Sequence, residues 1–233
     1  MTFTITPTFS ITQTFSVTPT ITVTSTITMT PGAWAGVAYG TPVASQHAAL
    51  ASNGTGYSWG YTQGSSYVHI NGTRMNFSAD YTKMGKRWLA KSALNDYAVY
   101  PFGAGGIYAR YSGDSWADYL GITVGNGVQP CIYVDGETPY VAYINSDAGN
   151  SVTVKAYTSG WISYGSANFT PPVSVDAARY NTLSMDGYND AGTLKLFVAY
   201  VDPADGNRVH VKWKNGAADW ADLGGVVYNY AVA

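Results

Sequence analysis

From Thr2 to Thr30 every even position is Thr or Ser, thirteen of the first and two of the second. The odd positions carry Phe3, Ile5, Phe9, Ile11, Phe15, Val17, Ile21, Val23, Ile27 and Met29. Every third odd position is instead Pro7, Gln13, Pro19, Ser25 or Pro31. Alternation with period two is the pattern of a strand with one hydroxyl face and one apolar face. The β-branched residues favour that geometry. The prolines hold their predecessors extended and cannot donate to a ladder, so continuous pairing on both edges is excluded. Fully stretched, the tract spans about 100 Å.

Beyond Pro31 the hexads stop and a different pattern begins. Val152, Val154 and Ala156 alternate, as do Val209, Val211 and Trp213, which predicts half-buried strands with Lys155, Lys212 and Lys214 on the opposite face. The segments Pro130–Trp161 and Asn181–Trp220 run in parallel: a strand, a turn with Asp-Gly, a strand ending Val-Ala-Tyr, a Gly/Asn turn, an alternating strand, then Trp. Trp116, Trp161 and Trp220 are each followed within a few residues by Gly, at spacings of 45 and 59, and Trp34 heads a degenerate copy. These marks predict a repeat domain over 32–233, with modules at about 32–83, 84–119, 120–164 and 165–233, behind an arm at 1–31. Tyr228–Ala233 reads as a last strand, suited to closing on an early one.

The stretch VAYVDPADGNRVHVKWKNG, followed by Trp220 and Leu223-Gly224-Gly225, resembles the blade repeat of bacterial propeller proteins, including the fucose-binding lectin type. SYGSANF, from Ser163 to Phe169, resembles blade junctions in large secreted bacterial repeat proteins, some of which also carry Thr-Pro tracts. The resemblance covers about Tyr97 to Gly225. It implies an all-β, β-propeller-like repeat domain of about four modules, preceded by an extended Thr-rich hexad-repeat arm, in an extracellular or cell-surface protein.

Composition narrows the chemistry. Charged residues are 11% of the 233 and the net charge is -2, which excludes a broad basic surface for nucleic acid. No apolar run reaches membrane-spanning length. The N-terminus lacks the basic region and apolar core of a signal peptide. The one cysteine, Cys131, forms no intrachain disulfide and sits in an apolar run as a small hydrophobe. His47, His69 and His210 lie far apart, and no spacing suggests a metal site. Asp202–Asn207 and Asn145–Asn150 gather oxygen ligands but do not match a calcium loop. Asp135-Gly136, Asp186-Gly187 and Asp205-Gly206 read as turns. No nucleophile elbow or phosphate loop appears. A non-catalytic protein without cofactor is expected. Four N-glycosylation sequons, at Asn53, Asn71, Asn76 and Asn168, matter only in a cell that glycosylates its surface proteins.

Three readings of the tract stay open: a Ser/Thr/Pro linker, an assembly strand, and a compact hexad solenoid. Ten large apolar side chains on one face are superfluous in a linker and hazardous if exposed. The expectation is therefore a structural subunit of a filament or surface assembly, its partner another copy of itself. Phe3, Ile5, Phe9, Ile11, Phe15, Val17, Ile21, Val23 and Ile27 form the joining face. The second expectation is a carbohydrate-binding head on a stalk, with Tyr140, Tyr157, Trp213, Asp147 and Asp202 as candidate glycan contacts. Tyr143 and Tyr200, each after Val-Ala, read as repeated core positions.

Overall fold

A computed structural model describes residues 5–14, 20–29, 48–63, 67–77, 83–85, 87–103, 105–116, 123–175 and 182–223. The chain divides into two compact units, Met1–Pro42 and Val43–Ala233. In the first unit, β1 (Ile5–Thr14) pairs antiparallel with β2 (Thr20–Met29). The tract expected as an extended arm is thus folded back on itself. Pro7 is accommodated because a two-stranded ladder consists only of edge strands.

The described residues of the second unit form three antiparallel sheets, each a simple meander. The first is β3 (Ala48–Ser52), β4 (Tyr57–Gln63), β5 (Tyr67–Ile70) and β6 (Thr73–Asn76), in that order. The second has seven strands: β7 (Leu89–Lys91), β8 (Asp96–Phe102), β9 (Gly106–Tyr111), β10 (Gly125–Asp135), β11 (Thr138–Asn145), β12 (Ser151–Tyr157) and β13 (Trp161–Ser163). The third is β14 (Leu183–Asp190), β15 (Thr193–Asp202), β16 (Arg208–Asn215) and β17 (Ala221–Asp222). Local turn chemistry explains the hairpins. Asn71-Gly72, both at positive φ, closes β5 on β6 as a primed two-residue turn. Gly136 starts the corresponding turn between β10 and β11.

All-β content agrees with the sequence reading, but the propeller does not. Among the described residues the sheets of this unit are three, separate and unclosed, and none curls shut as a ring of blades requires. The fucose-binding-lectin likeness falls with the ring, and so does the lectin-like character drawn from it. The physical cause lies in β10. Its first residues, Gly125 and Asn126, pair with β9, whereas the remainder pairs with β11. Between Val128 and Cys131 the register shifts, with Gln129 at φ 52 and Pro130 unable to donate. The change of partner falls between Asn126 and Gly127, before this bulge, which interrupts only the ladder to β11. The segments expected as the second and third blades therefore merge into a single sheet.

Burial explains how the sheets pack. Ile132, Val141 and Tyr143 share one core with Trp88, Leu89 and Val99 of the same seven-stranded sheet and with Val68 and Ile70 of the first, β10 lying against β7 and β8 and the first sheet against β7. Their chain neighbours Cys131, Ala142 and Ile144 pack with Met185, Leu196 and Val198 of the third. Alternation along β10 and β11 thus feeds two cores, and the central residues of these two strands are dry on both sides. That is why Cys131-Ile132 reads as a continuous apolar run rather than an alternating one. Other expectations are corrected on the same basis. Asp186-Gly187 is inside β14, not a turn. A Cβ on Gly187 would stand 2.5 Å from Leu196 Cδ2 and 3.1 Å from Tyr133 Cε1, so packing between sheets explains this glycine. Lys214 is buried, its ammonium donating to the carbonyls of Gly216 and Ala218. Val152, Thr153 and Val154 are all buried, so β12 is not half-wet.

Candidate functional site

In the tract, the register pairs odd positions with odd and even with even: Ile5 with Met29, Ile11 with Val23, Thr12 with Thr22. Residues paired across a ladder share a face. In backbone register the odd positions Ile5, Phe9, Ile11, Ile21, Val23 and Ile27, with Pro7, Gln13 and Ser25 among them, thus pair with one another, and the even Thr and Ser positions with one another. Phe3, Phe15 and Val17 lie outside the described residues. The ladder has two open edges, and a lone two-stranded hairpin is marginal in water.

In the globular unit, β3, β7, β10 and β14 border a cleft of about 740 Å³. Its polar groups are already engaged. Arg87 and Asp186 form an ion pair at 2.8 Å. Lys91 lies 3.1 Å from Asp96. Asn53 donates to the Ser92 carbonyl at 2.6 Å and accepts from the amides of Thr55 and Gly56. Beside it a smaller pocket of about 470 Å³ is lined by Tyr97, Tyr111, Tyr157, Asn95 and Glu137. Glu137 accepts from Ser92 Oγ at 2.8 Å, Tyr97 OH at 2.7 Å, Asn95 Nδ2 at 3.0 Å and Leu94 N at 3.2 Å. Burial pushes its carboxyl up, but these four donors outweigh it and hold the group below the usual carboxylate range. A carboxylate so saturated clamps the β7–β8 turn to the β10–β11 turn.

Burial raises the Cys131 thiol to about 12, far from a reactive thiolate. His69 stacks on Tyr61 at 4.5 Å, and His210 bonds Asp205 at 2.9 Å, both away from the cleft. Among the described residues no three His, Cys, Asp or Glu side chains are grouped to hold a metal ion.

The five candidate glycan contacts are not brought together. Tyr140 and Tyr157 lie on adjacent strands, but Tyr140 pairs with Ala156, which sends Tyr157 to the opposite face of the sheet. Tyr140 packs edge-on to Tyr164 at 4.9 Å, and Tyr157 edge-on to Trp161 at 5.3 Å. Asp147 accepts from Asn126 on an exposed turn. Asp202 is buried and accepts from Ala204 N within its own turn. Trp213 stacks on Phe197 at 6.2 Å in the third sheet. Tyr143 and Tyr200 are buried core residues.

The sequence reading missed the seams that hold the layers together. Asp96 is buried and receives Ser58 Oγ, Asn71 Nδ2 at 2.8 Å and Lys91, which ties the first sheet to the second. Asp219 receives Ser166 through both its amide and its hydroxyl, and Trp220 Nε1 donates to the Tyr164 carbonyl at 3.1 Å, which ties the second to the third. Hydrogen bonds from Ser166 and from the Trp220 amide bring the Asp219 carboxyl down to about 2. Also missed were two aromatic faces, whose only sequence signal is the spacing Tyr57, Trp59, Tyr61 and its counterpart on β14–β16. No protein-family model matches the chain, and no curated protein is significantly similar to it.

Proposed function

We propose that this protein is a non-catalytic structural subunit that joins copies of itself through its N-terminal hairpin, in a filament or layer at or beyond the cell surface. The observation that carries the reading is the register of β1 on β2. It sets the apolar positions of the two strands opposite one another, more apolar residues than a tether needs. Burying that face against another hairpin, and pairing its open edges, removes the two features that make a lone hairpin unstable. Addition of extended segments edge to edge is a recurrent route to assembly. The test is the mass in solution and the appearance under negative-stain electron microscopy of the full chain. Ile11→Asp with Val23→Asp charges the apolar face at one register pair; Thr12→Asp with Thr22→Asp charges the hydroxyl face beside it. Assemblies in the wild type and the second variant are expected, with a fall in assembly mass in the first. A wild type that stays at single-chain mass, or equal assembly by both variants, overturns the reading.

A further inference from the structure

β10 and β11 have both faces covered, but the first and third sheets each keep one face in water. On the first sheet, alternation turns Ser58, Gly60, Thr62, Val68 and Ile70 inward. The outer face then carries Leu50, Tyr57, Trp59, Tyr61 and His69, joined across strands by the pairs Leu50–Trp59 and Tyr61–His69. Leu50 is 74% exposed and Tyr57 72%. On the third sheet, Leu194, Leu196, Val198 and Tyr200 point inward. The outer face carries Tyr188, Phe197 and Trp213, a row of near-parallel rings 6.0 and 6.2 Å apart across three strands, with Val211 and Leu223 beside it. Tyr188 is 50% exposed and Leu223 43%. Contiguous aromatic faces of this kind mark contact surfaces rather than ordinary surface.

We propose that the globular unit stacks head to tail on a second copy, the outer face of β14–β17 in one against the outer face of β3–β6 in the next. Three observations select that occupant. Within the chain, sheet already stacks on sheet by the same means, so a second copy continues an existing pattern. Five large side chains per face, with a polar rim, supply on the order of 1,000 Å² for the pair, the lower bound for a specific contact. The charges also complement each other. The first face carries Arg74, over the Tyr67 ring at 3.7 Å, and no carboxylate among its described residues. On the other, Asp190 keeps a side-chain exposure of 55% although paired with Lys195, while Asp186 is held by Arg87 at the cleft. Two different faces make a contact that does not close on itself, so the stack grows. It stands independently of the hairpin.

The test uses the full chain carrying Ile11→Asp and Val23→Asp, which silences the hairpin face. Leu50→Glu then charges the first face and Tyr188→Lys the last, both at solvent-exposed positions. Light scattering behind size exclusion is expected to give the parent a mass that at least doubles with concentration. Each face variant alone stays at single-chain mass, and an equimolar mixture of the two recovers two-chain mass through the one intact pair of faces. A parent that remains single-chain at every concentration overturns the proposal. So does one variant that dimerises alone, which means a face meets its own kind. So does a mixture that fails to pair while both variants melt as cooperatively as the parent. Should either variant lose that cooperative melt, Tyr57→Glu and Leu223→Lys take their places in the same mixing experiment. Failure of the hairpin reading is recognised separately, as an unchanged mass on charging Ile11 and Val23.

Discussion

Ile132 and Ile144 sit on neighbouring strands of the seven-stranded sheet but in different cores, and both are at most 1% exposed. Truncating either to alanine removes three buried carbons. At roughly 0.8 kcal/mol for each, the transfer cost is about 2.4 kcal/mol. The cavity left between packed layers brings the expected loss to roughly 2–5 kcal/mol for each variant. A domain is stable by only about 5–15 kcal/mol, so both effects are large. With a urea slope of roughly 1–3 kcal/mol/M, each midpoint falls by about 1 M or more. Because the two side chains face opposite ways and share no core, the double variant is expected to lose the sum, within about 0.5 kcal/mol. Equilibrium urea unfolding followed by tryptophan fluorescence measures all three. An antiparallel sheet with one wet face makes a different forecast: one of the two substitutions changes stability by less than about 0.5 kcal/mol. That outcome refutes the burial of β10 and β11 in two separate cores.

Two further predictions follow from individual groups. Asp219 has its carboxyl pKa depressed to about 2 by bonds from Ser166 and the Trp220 amide, against about 3.9 in an unfolded chain. The stabilisation is thus full above about pH 4 and lost as pH falls toward 2. Asp219→Asn is expected to flatten the fall of the melting temperature between those pH values; an acid limb identical to wild type refutes the seam. Cys131, raised to about 12 by burial, is expected to resist a thiol reagent at pH 8 and to react promptly once urea unfolds the sheet. Rapid labelling of the folded protein refutes its placement in the core.

Much of the local structure is legible in the chain itself. Period-two alternation places the tract and most globular segments as strands, and Asn71-Gly72 and Asp135-Gly136 mark their hairpin turns. These are decisions between neighbouring residues, made by backbone sterics and by which side of a pleat each residue occupies. The grouping of odd with odd and even with even in β1 and β2 follows once the two strands pair in register.

The candidate site was far less legible. Alternation by itself assigns Tyr140 and Tyr157 to opposite faces only after their strands are known to pair at Tyr140–Ala156. Asp96 and Glu137 are ordinary acids in the sequence, and their importance lies in donors 25 to 45 residues away. Lys214 looks like a solvent-facing alternate until carbonyls two and four residues on receive its ammonium.

What the residues alone determine here is strand, turn and the polarity of each face, because those depend on a few adjacent side chains. What only the tertiary structure decided is how many sheets the strands make and what covers them. β10 pairs with β9 through Gly125 and Asn126 and with β11 through the rest, which joined what the repeat marks separate. Packing of β10 and β11 against β7–β8 on one side and the third sheet on the other then buried both their faces, and left an aromatic face exposed on the first and third sheets. Sheet membership and layer order depend on contacts between residues far apart in the chain, where no short-range pattern carries the information.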